Sequence, residues 1–241
     1  MSYGEQRDPA NEVPGQFTPG EPETAPRRPT TAERMSGAWV TWTLIAACVI
    51  VFIAQSATNV ATGSVTQATV FYTPYAVSQP WRFITALFAH ANIIHIGSNM
   101  LSLFFLGPQL ERVLGHWRFA ALYFLAGIGG GVLVEILLPA GVTLGASGAI
   151  FGLLGAYFVI ARRIGANLGQ IAGLIVLNLA IGFIVPSIAW QAHIGGLLVG
   201  GLVAWIYGRP RSSEHPNRQL TLLALVLFAL AVIAVAVNAL R

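Results

Sequence analysis

Seven blocks of apolar residues, most of them about 18–22 residues long, constrain this chain more than any other feature. An α-helix rises about 1.5 Å per residue, so blocks of this length match the roughly 30 Å hydrocarbon layer of a bilayer. The alternating apolar and polar pattern of a membrane β-barrel is absent. The sequence therefore predicts an all-α polytopic membrane protein, with spans near residues 39–56, 92–110, 117–138, 147–162, 168–185, 190–207 and 220–240.

Composition excludes an ordinary soluble domain, because 55% of the 241 residues are hydrophobic and only 9% are charged. The net charge of +4 comes from arginine alone, since the chain has no lysine. These arginines are spread over the connections rather than gathered in a patch, which argues against nucleic-acid binding. We therefore expect the chain to lie in a lipid bilayer.

Residues 1–37 differ from the rest, because they are polar and hold six of the 13 prolines and six of the nine acidic residues. We expect a disordered cytoplasmic tail there, followed by a core at 38–208 and a seventh transmembrane helix at 219–241. The tail contains no apolar stretch typical of a signal peptide. This favours the plasma (inner) membrane of a bacterium.

The arginines also predict the orientation of the spans. With a cytoplasmic N-terminus, 11 of the 13 fall on the cytoplasmic side, as the positive-inside rule requires, and the C-terminus lies outside. The two exceptions are Arg82 and Arg241. Spans two, four and six then run in the same direction, and their first turns lie at one depth near the outer leaflet.

Ser147 and His193 sit in those first turns and are candidates for a nucleophile and its base. A serine hydroxyl is a weak nucleophile that needs a base within hydrogen-bond reach. The alternative is structural: Gly148, Gly152 and Gly155 form a small-residue contact face, and a buried histidine often only bridges helices. Gly196 and Gly200 share a helical face with His193, which would let span six press against span four.

His95 and Asn99 are four residues apart and project from one face of span two. A histidine N–H, an asparagine amide and the Ser147 backbone N–H would suit an oxyanion site. The alternative is interhelical hydrogen bonding. His90, one turn earlier, is interpreted as structural support for the loop.

Carboxylates are too scarce for an ordinary Ser-His-Asp triad, so we expect a Ser-His dyad. Asp8 is the only aspartate, and Glu111 and Glu214 fall on the cytoplasmic side. Glu135 alone lies at the right depth to orient His193, although an interfacial or packing role is the simpler interpretation. No metal-binding motif and no phosphate-binding motif is present, so we expect neither a metal nor a cofactor.

Taken together, these residues resemble the rhomboid intramembrane serine proteases over about residues 70–208. The similarity lies in five motifs in the family's order: Trp81-Arg82, His90 with His95-x-x-x-Asn99, Glu111-Arg112 before Gly115, Gly145-Ala146-Ser147-Gly148, and Ala192-His193-x-x-Gly196-x-x-x-Gly200. The resemblance implies a six-helix bundle around a water-filled cavity, here with one extra C-terminal helix.

The resemblance also implies roles and a substrate class. Ser147 would be the nucleophile, His193 the general base, and His95, Asn99 and the Ser147 N–H the oxyanion site. Single-span or polytopic membrane proteins would be the substrates. Phe151 stands where relatives often carry tyrosine against the histidine. Span five, with Asn178, Gly182 and Phe183, and the connection near Pro186 would form gate and lid elements.

Two other functions fit parts of the pattern. The same polar residues could line the path of a small-solute transporter. No inverted repeat with paired broken helices supports that interpretation. A pseudoprotease that binds membrane clients without cutting them is the other alternative, and the intact Ser147 and His193 argue against it.

Overall fold

The computed structural model describes residues 37–209 and 217–241, so most of the predicted tail at 1–37 lies outside the described residues. Seven long helices account for the seven predicted spans. They are α1 (Trp39–Thr58), α4 (Ile93–Leu114), α5 (His116–Leu137), α6 (Ser147–Arg163), α7 (Gly169–Ile184), α8 (Trp190–Tyr207) and α9 (Arg218–Ala239). The fold is all-α and polytopic.

Four of these helices, α1, α4, α5 and α9, are both long enough and apolar enough to cross a bilayer by length and composition. Helix α7 is apolar but shorter, with 16 residues, and α6 has 17. The shorter helices α6 and α8 are rich in glycine and largely buried, whereas α9 buries only Leu230 and Ala234. The bundle therefore has α5, α6 and α8 at its centre.

Glycine makes the central contact between α6 and α8. A methyl group on Gly196 would collide with the carbonyl oxygen of Gly148, and one on Gly200 would collide with the backbone of Gly152. Small residues of this kind let transmembrane helices approach until their backbones touch. The contact brings the first turn of α8 against the first turn of α6.

The connection at residues 57–91, between the first two predicted spans, is largely structured. It contains α2 (Ser64–Thr69), β1 (Phe71–Tyr72), a 3₁₀ turn (Thr73–Tyr75) and α3 (Arg82–Thr85). Strand β1 pairs antiparallel with β2 (Val142–Thr143), with Phe71 opposite Thr143. This pair ties the connection to the loop that precedes α6.

Glu111 fastens α1 to the end of α4. Its carboxylate accepts hydrogen bonds from the backbone N–H groups of Val40 and Thr41 and from the Thr41 hydroxyl, and lies 2.5 Å from His116 Nδ1. A carboxylate at a helix N-terminus satisfies donors that the helix leaves unpaired. These bonds explain why α4 continues to Leu114, beyond the predicted end at 110.

Helix α9 runs parallel to α5. At one end Arg118 donates to the Gln219 side chain, and at the other Arg241 donates to the carbonyl oxygens of Glu135 and Ile136. Arg163 donates to the carbonyl of Trp205 at the same end as Arg118. The ends of α4, α5, α6 and α8 that carry most of the arginines therefore meet on one side of the bundle.

Candidate functional site

The opposite end of the bundle gathers the candidate site residues around the start of α6. Ser147 is the first residue of that helix, and the N-cap Ala146 offers no side-chain bond to the first turn. The first-turn N–H groups therefore point outward without helical partners. Ser147 itself is partly exposed.

His193 lies on the first turn of α8, directly across from this helix start. The rings of His193 and Phe151 are stacked, with centroids 4.1 Å apart and planes 11° from parallel. A methyl on Gly148 would lie 3.3 Å from the carbonyl oxygen of Ala192, so the residues next to Ser147 and His193 are in contact. The chain thus brings together the two predicted residues, although no hydrogen bond joins their side chains here.

His95 and Asn99 converge on the loop that leads into α6. Gly145 has φ of +116°, and a methyl there would lie 2.6 Å from His95 Nε2 and 3.4 Å from Asn99 Nδ2. Only glycine suits this position, because the backbone conformation and the two side chains both exclude a Cβ. Asn99 is buried, and its Nδ2 has no hydrogen-bond partner in the described part of the chain. These donors therefore face the backbone two residues before Ser147.

A small cavity that is partly open to the outside lies beside Ser147. The loop residues Gly145 and Leu144, the aromatic rings of Phe71 and Phe83, and Ala192 line it. Gly127 and Gly131 of α5 form its far wall. Apart from Ser147 and Thr143 the lining is apolar or backbone, which suits an uncharged side chain more than an ion.

His90 and Arg82 hold the surrounding loops. His90 is fully buried, its backbone N–H donates to Gln55 Oε1 at 2.9 Å, and burial together with the nearby His95 lowers its pKa to about 4. The imidazole therefore stays neutral at pH 7. Arg82 donates to the carbonyl oxygens of Gln67 and Val70, both at 2.7 Å, and fixes the chain just before β1. Its neighbour Trp81 is exposed.

Glu135 makes no hydrogen bond to His193. The carboxylate is fully buried, and neither of its oxygens has a hydrogen-bond partner among the described residues. His193 Nδ1 is likewise buried and unpaired. A Ser-His-Glu triad is therefore not formed in this structure. Within residues 37–209 and 217–241 no group of three or more His, Cys, Asp or Glu side chains is placed to hold a metal ion.

Two supporting residues escaped the sequence analysis. Gln55 of α1 binds the His90 backbone and donates to the Thr66 hydroxyl at 2.9 Å, which links α1, α2 and the start of α4. Asn92 caps α4 by accepting from the backbone N–H of His95 at 2.9 Å. A polar residue inside an apolar span was the available signal for Gln55.

Comparisons with known proteins give the chain its relatives. The Rhomboid domain family matches residues 77–210. RHOMBOID-like protein 1 of Arabidopsis thaliana is 39% identical over 135 residues, which cover 53% of this chain and 34% of that protein. Rhomboid protease GluP of Bacillus subtilis is 39% identical over 160 residues, which cover 63% of this chain and 30% of that protein. Putative rhomboid protease YdcA of Bacillus subtilis is 36% identical over 132 residues, which cover 52% of this chain and 66% of that protein. The matches thus span about a third of the first two relatives.

Proposed function

The chain belongs to the rhomboid family of multi-pass membrane proteins, and from this premise we propose that it is an intramembrane serine endopeptidase. Its substrates would be membrane-anchored proteins, cut near the outer membrane boundary. Ser147 acts as the nucleophile and His193 as the general base, in a dyad without a carboxylate.

One observation carries the proposal: Ser147 and His193 occupy neighbouring first turns beside a cavity, with two donor side chains at the same level. The stacked Phe151 ring restrains the imidazole, and the backbones at Gly148 and Ala192 touch. Catalytic hydrogen bonds are often long in the absence of substrate and tighten when it binds. The missing Ser147–His193 hydrogen bond is therefore compatible with the dyad.

The mechanism follows the chemistry of acyl transfer. His193 removes the hydroxyl proton as Ser147 Oγ attacks the scissile carbonyl carbon, and the carbonyl oxygen becomes an oxyanion. His95, Asn99 and the Ser147 N–H donate hydrogen bonds to it. The protonated imidazole then gives its proton to the leaving amine, which leaves an acyl-enzyme. Water attacks that ester with His193 again as the base, and releases the second product and free Ser147.

Substrate access follows from the weak packing of α7. This helix buries only Ile175 and Gly182, so it separates from the bundle more readily than α6 or α8. A substrate helix hides its carbonyls in its own hydrogen bonds and must unwind before cleavage. Substrates with glycine or other weak helix formers near the cleavage point are preferred, because their unwinding costs less.

The placement in the cell is part of the same proposal. The N-terminus is cytoplasmic and the C-terminus outside, in a bacterial plasma membrane, since most arginines then lie inside. Residues 38–208 form the protease core. The segments 1–37 and 219–241 are additions to it, as a tail and a seventh helix.

The test combines a variant with a chemical probe. Wild-type protein should cleave a model single-span substrate and react with a fluorophosphonate at Ser147, whereas Ser147→Ala and His193→Ala should do neither. Ser102→Ala is the matched control, because Ser102 is a partly exposed serine of α4 that donates only to the Ser98 carbonyl. Wild-type cleavage by Ser147→Ala would refute the assignment.

Binding without cleavage is the second candidate, since the rhomboid family includes inactive members. It predicts that wild-type protein captures a membrane substrate but neither cuts it nor reacts with the fluorophosphonate. The same two measurements therefore separate a pseudoprotease from an enzyme.

A further inference from the structure

The imidazole of His193 is enclosed on two sides by different helices. Phe151 of α6 covers one ring face. Gly182 of α7 lies against the ring edge, where a methyl group would be 3.4 Å from His193 Nδ1 and 3.4 Å from Trp190 Cβ. Gly182 is one of only two buried residues of α7. The helix proposed to give way to substrates thus passes close to His193 Nδ1.

His193 Nδ1 is buried and makes no hydrogen bond to any described residue. A neutral imidazole carries one N–H and one acceptor nitrogen. With Nδ1 against Gly182, Nε2 is the nitrogen left to accept the Ser147 proton, so Nδ1 carries the N–H. In a triad a carboxylate accepts from that group and stabilises the imidazolium that forms.

We propose that Gly182 couples the position of α7 to the strength of His193 as a base. In the position described above, Gly182 faces Nδ1 and no described protein acceptor reaches that nitrogen. When α7 moves aside for a substrate, water enters beside Gly182 and accepts a hydrogen bond from Nδ1–H. The imidazolium is then stabilised only while a substrate is present. Gly182 is accordingly a positioning residue, and this inference rests on the dyad proposed above.

The packing of α7 supports such a movement. Several of its large apolar side chains are exposed, namely Leu174, Val176, Leu177, Ile181 and Ile184. Phe183 is exposed as well, but its ring stacks on Trp190 at the start of α8, with centroids 4.6 Å apart. Ile175 is its one buried side chain beyond Gly182, in a cluster with Phe151 and Leu154. A displacement of α7 therefore breaks one ring pair and the contacts of one small cluster, and opens the edge of His193.

Gly182→Ser tests the coupling, with Gly182→Ala as the matched control. A Cβ at 3.4 Å is in ordinary van der Waals contact, so both variants fit without rearrangement. The serine hydroxyl extends one bond further, toward Nδ1. Even if its proton is donated to the carbonyl one turn earlier, its lone pairs remain free to accept from Nδ1–H. Gly182→Ser thus supplies the acceptor while α7 is closed.

The readout is a comparison of two reactions. A small fluorophosphonate reaches Ser147 without displacing α7, so Gly182→Ser should be labelled at least threefold faster than both Gly182→Ala and wild type. Cleavage of a single-span substrate displaces α7 in every variant, so the ratio of the labelling rate to the cleavage rate should be at least threefold higher in Gly182→Ser than in Gly182→Ala. If Gly182 acted only through packing, the labelling rate and the cleavage rate would change by a similar factor. Equal labelling rates for the serine and alanine variants would overturn the proposal.

A spectroscopic measurement examines the wild-type protein directly. With ¹⁵N-labelled histidine, the His193 Nδ1–H proton should resonate as an imidazole N–H without an acceptor, and move downfield in Gly182→Ser. A wild-type resonance already typical of a hydrogen-bonded N–H refutes the unpaired state of Nδ1. Failure of the underlying dyad looks different, because wild-type Ser147 would then not be labelled at all.

Discussion

Phe151 and His193 stack face to face, with ring centroids 4.1 Å apart and an interplanar angle of 11°. The two residues belong to α6 and α8, the pair of helices whose backbones meet at Gly148 and Gly196. The ring of Phe151 lies one turn after Ser147, so the same helix that carries the hydroxyl also sets the plane of the imidazole. Precise orientation of a base is worth orders of magnitude in rate.

Loss of this stacking should slow cleavage. We expect Phe151→Leu to lower kcat by about tenfold, because aromatic pairs contribute roughly 0.5–1.5 kcal/mol beyond their buried area. Phe151→Tyr should keep the wild-type rate, since its ring is the same platform. Steady-state cleavage of a single-span substrate measures both. Equal rates for the leucine and tyrosine variants would show that stacking does not position His193.

Asn99 should act on the oxyanion rather than on substrate binding. Removing one such donor typically costs about 10²–10³ in kcat. We expect Asn99→Ala to fall at the lower end, because His95 and the Ser147 N–H remain, with KM nearly unchanged. Ser98→Ala is the control, since Ser98 is exposed and donates only to the His95 carbonyl. An effect confined to KM would assign Asn99 to substrate binding instead.

Glu135 should be dispensable for the chemistry. Its carboxylate and His193 Nδ1 are both buried, yet neither makes a hydrogen bond to the other or to any other described group. We expect Glu135→Gln to change kcat less than threefold. A fall of about 10⁴, the size seen when a triad loses its acidic member, would reveal a carboxylate that reaches His193 during turnover.

His90 should make the fold sensitive to acid. Its pKa in the folded protein is about 4, below the ordinary 6.5, because burial disfavours the charged ring. Between these values the unfolded chain binds the proton more readily, so stability falls as the pH drops from 6.5 toward 4. Thermal unfolding in detergent should show a smaller loss of Tm between pH 7 and pH 5 for His90→Asn than for wild type.

The same pair of proteins provides the control for that measurement. Between pH 7 and pH 8 His90 is neutral in both the folded and the unfolded chain, so the two proteins should respond alike. If His90→Asn loses as much Tm as wild type on acidification, the acid sensitivity comes from other groups.

Much of the fold followed from hydropathy, because a bilayer admits few alternatives to a helix for an apolar block of this length. Each predicted span corresponds to one long helix, and the ends differ by four residues at most. The largest difference is at the end of α4, where the predicted span stops at residue 110, just before Glu111, and the helix continues to Leu114. The carboxylate remains inside the helix because α1 supplies its hydrogen-bond donors. No local sequence pattern around Glu111 indicates that its hydrogen-bond partners lie about 70 residues earlier in the chain.

The amino-acid sequence by itself determined the helices, since helix length is read from hydropathy, and the placement of arginine predicted their direction and a common depth for Ser147, His193, His95 and Asn99. Only the tertiary structure decided which side chains touch. The Phe71–Thr143 strand pair, the Gln55 bond to His90 and the approach of Gly182 to His193 Nδ1 all join residues from separate elements. Such contacts depend on the rotation and spacing of packed helices, which periodicity along one chain segment does not specify.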